Sequence, residues 1–256
     1  MEAGEAYLSD TPLLRGHAGT QPDLYLRWNA AARAAASLDV VVHLHGFSQQ
    51  RGAMMLAEKV PRAGLDLAGR ARPTMALMPR GNWIRSTWYD FPALRDGGLD
   101  RLVNYAVARF ADGRTLAVDR LIVTAHSGGG MPAIDAVAGA RRPPDELHIF
   151  DGLYGRDPAQ GDPLGGLDIV DRWLAQRLAA EPARQGALRV VYLERQTGEF
   201  SRAVAALIQR RLAALEPGLA RRYRVERSGV PHGYVAAVCG PVLLADSAAD
   251  IDWSLV

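Results

Sequence analysis

Strands alternating with helices along 256 residues predict an α/β fold, a doubly wound, mostly parallel sheet with helices on both faces and without a large cap domain. Two observations carry that expectation. Short β-branched apolar runs at 39–46, 74–78, 120–125, 146–150, 188–193 and 221–226 read as buried strands, nearly continuous in hydrophobicity because both faces are covered. Between them, 99–110, 131–140, 167–180 and 200–215 read as helices. The apolar spacing is plainest in 99–110 and in Val204, Leu207, Ile208 and Leu212.

Taken in order, residues 1–38 carry turn signals and an extended stretch at 23–28, and read as edge strands or hairpins. The strand at 39–46 ends in His45-Gly46 and is followed by a loop and a helix within 52–69. Residues 82–98 read as an aromatic loop. The strand at 120–125 runs straight into His126-Ser127-Gly128-Gly129-Gly130 and then a helix. Residues 152–187 leave room for a short lid segment, and the chain turns helical from about Tyr234. No repeat, low-complexity tract or linker interrupts the pattern, so a single domain over 1–256 accommodates it.

A hydrophobic share of 48% and a charged share of 23% are those of a soluble globular protein. The net charge of +2, without any block of basic residues, points to neither nucleic acid nor an anionic membrane as partner. Arginine supplies nearly all the positive charge, Lys59 being the one lysine. Cys239 is the one cysteine, so an intramolecular disulfide and a cysteine-based zinc site are excluded. With neither a signal peptide nor an apolar run of membrane-spanning length in the sequence, the default location is cytoplasmic, and secretion after removal of a signal is the alternative.

The chemistry centres on Ala125-His126-Ser127-Gly128-Gly129, which sets a serine between small residues at the end of a buried strand and ahead of a helix. A nucleophile elbow has that context, its sharp turn requiring small residues two before and two after the serine. A serine hydroxyl needs a base, normally an imidazole oriented by a carboxylate. Of the six histidines, His43, His45 and His148 belong to strands, His126 is inside the elbow and His17 is in the N-terminal region, which leaves His232 after the last strand. The acid is Asp151, directly after its strand, or alternatively Glu194 or Glu199 after the next, with Asp151 preferred as the shorter partner at a strand end. Backbone N–H groups of Phe47 and Gly128 are the expected oxyanion donors.

In this order, His45-Gly46-Phe47, the elbow, an acid loop and a late His232, the chain resembles the α/β-hydrolase superfamily over about residues 38–240. Ala125 replaces that family's usual glycine. The resemblance implies a Ser, acid, His mechanism and a hydrolase without cofactor. A carboxylesterase acting on a small-molecule ester through an acyl-enzyme is the expected function. A peptidase or amidase, an acyltransferase using the same serine, and a silent binding protein on the same scaffold are the alternatives. Arg80, Trp83, Trp88 and Tyr154 are candidate substrate contacts, and Arg80 or Arg85 on a substrate carboxylate would favour amide substrates. No metal is expected; the His43-x-His45 pair, whose rings share one strand face, is the arrangement nearest to a zinc site.

Overall fold

A computed structural model of the chain describes residues 2–47, 56–82, 90–155, 162, 164–180, 186–212 and 221–245. These contain an eight-stranded sheet in the order β1-β2-β4-β3-β5-β6-β7-β8. The strands are β1 Gly4–Leu8, β2 Leu24–Trp28, β3 Ser37–Leu44, β4 Thr74–Pro79, β5 Ala117–His126, β6 Glu146–Phe150, β7 Ala187–Tyr192 and β8 Tyr223–Arg227. The first two are antiparallel additions at one edge, β2 pairing antiparallel with β4, and the six strands from β3 to β8 are parallel. The described helices are α1 Leu56–Lys59, α2 Gly98–Ala111, α3 Gly130–Ala138, α4 Leu167–Leu178, α5 Gly198–Leu212 and α6 Val235–Leu244.

Side chains alternate across a strand, so β3 serves two cores at once. Val40, Val42 and Leu44 join a cluster with α2 to α5, through residues such as Leu102, Ile134, Trp173 and Val204. Val41 points the other way, to Leu56 and Leu244. Farther along that second face, Phe150 and Val191 meet Val235, Ala236 and Cys239 of α6. The division follows from handedness. From β3 the chain first steps to β4 on one side, then returns past β3 to β5 and continues in the opposite direction to β8. Right-handed crossovers that reverse direction must change face, which puts α1 on one side and α2 to α5 on the other.

The strands expected from sequence are all present, most with bounds moved by one to three residues, because pairing with neighbours extends or trims what hydrophobicity alone marks. Within the region 152–187, Val170, Trp173 and Leu174 bury α4 in the main core. No described helix is long and apolar enough to cross a membrane.

The N-terminal ends of the parallel strands are tied by ion pairs. Glu146 at the start of β6 meets Arg120 of β5 at 2.9 Å and accepts from His148 Nε2 at 2.9 Å, while Asp39 at the start of β3 is buried between Arg70 and Arg72. Burial alone would raise the Glu146 carboxyl. The His148 hydrogen bond and the Arg120 and Arg70 charges outweigh it and bring it from 4.5 down to about 2. A carboxylate depressed in the folded state stabilises the fold fully above its unfolded value, and that contribution is lost as pH falls towards 2. Glu146→Gln is therefore expected to lower the thermal midpoint clearly at pH 7, and by much less at pH 3. A gap between the two melting curves that stays constant from pH 7 to pH 3 would refute this.

Candidate active site

The direction change between β3 and β5 leaves a crevice at the carboxyl ends of these strands, where loops diverge to opposite faces. Gly46 and Phe47 follow β3 and Ser127 follows β5, and all three line one cavity of about 160 Å³. Ser127 has φ of +51°, a left-handed conformation that costs a non-glycine residue on the order of 1–2 kcal/mol. The turn turns the serine out of the sheet, and the residues around it have no spare room. A Cβ on Gly46 would stand 2.7 Å from Ser127 Cβ, one on Gly129 would stand 2.2 Å from the Leu44 carbonyl oxygen, and one on Gly130 2.1 Å from that of Gly152. Ala125, two residues before the serine, is completely buried. Gly129 and Gly130 are thus required by backbones that touch.

Register brings the acid to the serine. His126 pairs with Phe150 across β5 and β6, so the next residue of each chain segment, Ser127 and Asp151, leaves the sheet at the same level. Asp151 also has a positive φ, +45°. His232 arrives from the loop after β8, at the head of the short 3₁₀ turn His232–Tyr234 that leads into α6. Its Nδ1 lies 2.6 Å from Asp151 Oδ2 and its Nε2 2.8 Å from Ser127 Oγ. The carboxylate can only accept, so Nδ1 carries the proton and Nε2 is left to accept from the serine hydroxyl.

No protein-family model matches the chain, and no curated sequence matches it. Solved structures do. A ferulic acid esterase is 14% identical over 95% of this chain and 97% of its own, with a TM-score of 0.51. An S-formylglutathione hydrolase from Agrobacterium tumefaciens is 11% identical over 95% of this chain and 92% of its own, at 0.52. A fungal esterase from Rhizomucor miehei is 13% identical over 96% and 80%, at 0.51. The chain has the α/β-hydrolase fold. At such identities the likeness is one of fold, and the chemistry has to be argued from the residues.

Within this α/β-hydrolase fold, Asp151 is held from three sides. His232 donates to Oδ2, while the Leu193 N–H, at 3.0 Å, and the Thr197 hydroxyl donate to Oδ1. Burial pulls the carboxyl upward, but these hydrogen bonds prevail and keep it below its ordinary value. Glu194 instead pairs with Arg202, and Glu199 is exposed in the first turn of α5. His126 backs the imidazole: its Nε2–H donates to the His232 carbonyl at 2.8 Å and the two rings lie 4.9 Å apart. Burial lowers His126 to about 4, so it does this as a neutral ring.

Tyr154 sets its hydroxyl 3.4 Å from Ser127 Oγ and 3.5 Å from His232 Nε2. Arg80, expected at the substrate, is placed elsewhere. It is buried with its guanidinium donating to the carbonyls of His17 and Thr20, because the strand it follows packs beside the N-terminal segment. Trp83, Arg85 and Trp88 lie outside the described residues. Among the described residues no three His, Cys, Asp or Glu side chains are grouped to hold a metal ion. His43 bonds to Thr124 and His45 to the backbone of its own loop.

Thr197, His126 and Lys59 were not singled out from sequence for this site. Thr197 stands in Arg195-Gln196-Thr197-Gly198 between two more conspicuous glutamates, and nothing local marks its hydroxyl as an acid's partner.

The backbone crowding predicts that Gly129→Ala destabilises the fold by about 1–3 kcal/mol, the usual cost of forcing extra volume into a filled site. Differential scanning calorimetry reads this as a lowered midpoint. An unchanged midpoint would mean that the Leu44 backbone can yield.

Proposed function

We propose that the protein is a serine hydrolase that cleaves a small carboxylic ester through an acyl-enzyme on Ser127. The unbroken hydrogen-bond sequence from Thr197 through Asp151 and His232 to Ser127 carries this reading. Ser127 Oγ attacks the ester carbonyl carbon while His232 Nε2 takes its proton. Asp151 holds the ring in the tautomer that allows this and stabilises the imidazolium that forms. The tetrahedral intermediate collapses as His232 returns the proton to the alcohol oxygen. Water then repeats the cycle in reverse and frees the acid.

The backbone N–H groups of Phe47 and Gly128 serve the developing oxyanion in this scheme. Gly128 belongs to the 3₁₀ turn Ser127–Gly129 that opens α3, where N–H groups lack helical acceptors and favour negative charge. Phe47 lines the same cavity from the other side of the crevice. Tyr154, within reach of both reacting groups, is the proposed contact to the departing alcohol. The named esterases of like fold agree with ester rather than amide cleavage.

The test is hydrolysis of p-nitrophenyl acetate and butyrate together with labelling by a fluorophosphonate. Wild type is expected to turn over both esters and to be labelled. Ser127→Ala and His232→Ala are expected to lose labelling and about 10³-fold or more in kcat. Wild-type turnover by folded Ser127→Ala would sink the reading. Asp151→Asn is expected to fall to a similar extent, since it presents an amide where a carboxylate must accept. Thr197→Val, which removes one hydrogen bond to a charged oxygen, is expected to lose about tenfold in kcat/KM. Unchanged kinetics in Thr197→Val would show that the threonine only packs against the acid.

A further inference from the structure

Lys59 is the one lysine in a chain that otherwise uses arginine for every basic side chain. It ends α1, half-buried, and faces into the cavity that holds Ser127. Its ammonium donates to two successive backbone carbonyls, those of Gly46 at 2.7 Å and Phe47 at 3.1 Å. Gly46 O receives a second bond. Gly81 N–H donates to His45 Nε2 at 3.3 Å, so His45 carries its proton on Nδ1 and donates it to Gly46 O at 3.0 Å. Two donors therefore grip one carbonyl, and the same ammonium grips the next.

A trans peptide is planar, with its C=O and N–H pointing in opposite directions. Fixing the Gly46 carbonyl towards Lys59 and His45 fixes the N–H of Phe47 away from them. Extended backbone alternates its carbonyls, so the convergence of two successive ones on a single ammonium also holds the chain turned at Phe47. A compact tetrahedral ammonium donates to both oxygens from a single nitrogen, whereas a planar guanidinium spreads its donors over three nitrogens and carries its charge farther from each oxygen.

We propose that Lys59 is a positioning residue for the oxyanion site, clamping the Gly46 and Phe47 carbonyls so that the Phe47 N–H is aimed before substrate binds. The proposal rests on the serine-hydrolase reading above. It assigns Lys59 no contact with the reacting atoms: its effect passes through the peptide it orients, and through its positive charge behind that peptide's dipole.

The charge on Lys59 is itself conditional. Among the described residues, the charged and titratable groups facing it are Glu58 and Arg62 on its own segment, His43 and His45 at β3, His126 at β5, and His232 across the cavity. Burial and Arg62 lower Lys59 to about 8, against the opposing pull of Glu58. The first three imidazoles are kept neutral by burial, with His45 at about 3, His126 at about 4 and His43 well below its ordinary value. The clamp is therefore charged well below pH 8 and loses its charge as the pH rises through that value.

Steady-state hydrolysis of p-nitrophenyl acetate from pH 6 to 10 tests this in wild type, Lys59→Met and Lys59→Arg, with Ser127→Ala as control. Wild-type kcat is expected to decline above about pH 8 towards the level of Lys59→Met. That variant should lose about 10- to 100-fold in kcat at pH 7, with KM changed less than about threefold and no such alkaline decline. Lys59→Arg should keep a pH-independent charge and so lack the decline, while recovering only part of kcat because its larger planar head cannot take the position of a single nitrogen between the two carbonyls. Wild-type kcat that stays level to pH 10 overturns the proposal, even if Lys59→Met does not fold. So does a Lys59→Met variant with wild-type kcat, one whose loss is all in KM, or an alkaline decline that persists in Lys59→Arg. Ser127→Ala with wild-type turnover would instead remove the hydrolase reading on which the proposal stands.

Discussion

At Ser127 the chain leaves β5 with a positive φ, in a space bounded by Gly46, Gly129 and Gly130, each of which lies too close to its neighbour to carry a side chain. That close contact of three backbones is the constraint on which the rest of the site depends. It needs β3 and β5 to be adjacent and parallel, because only then do the Gly46 and Ser127 loops emerge side by side. It needs α3 to begin within three residues of the serine, which places helical N–H groups where the proposed oxyanion would form. And it needs Gly152, after β6, to lie against Gly130, which fixes the acid loop relative to the elbow. A strained turn persists only where the surrounding packing over-determines it, and here Gly129 and Gly130 meet backbone while Gly46 meets Ser127 Cβ and His126.

Polar groups are then added in layers behind the serine. His232 is held on one side by Asp151 and through its own carbonyl by His126. Asp151 is held by Leu193 and Thr197, from the loop after β7. His45 and Lys59 hold the Gly46 loop. Contributions come from the ends of β3, β5, β6, β7 and β8, all at the same edge of the sheet. A parallel sheet makes this possible because all its strands deliver their following loops to one side. The opposite edge is given over to the ion pairs of Asp39 and Glu146, which join the strands without facing the cavity.

Much of this was legible in sequence, and for identifiable reasons. The strands at β3 to β7 are centred on short apolar runs, a signal that survives in isolation since the middle of each strand is buried on both faces. Ser127 was marked by its small neighbours, and His232 by its place after the last strand. Arg80 misled because an arginine after a strand reads as a free cation until the partner segment is known, and its partners, His17 and Thr20, lie some sixty residues upstream. Thr197 and Lys59 were silent because their roles consist of bonds to residues far off in sequence.

The sequence by itself determined the order of strands and helices, the elbow at Ser127 and the set of candidate acids, since these rest on local sterics and hydrophobic period. Only the tertiary structure decided which carboxylate meets His232. Asp151 and Glu194 both follow strands, and chain order treats them alike. Register separates them: pairing of His126 with Phe150 lifts Asp151 level with Ser127, whereas Glu194 turns to Arg202. Strand pairing is a non-local property, and so, therefore, is the geometry of the site.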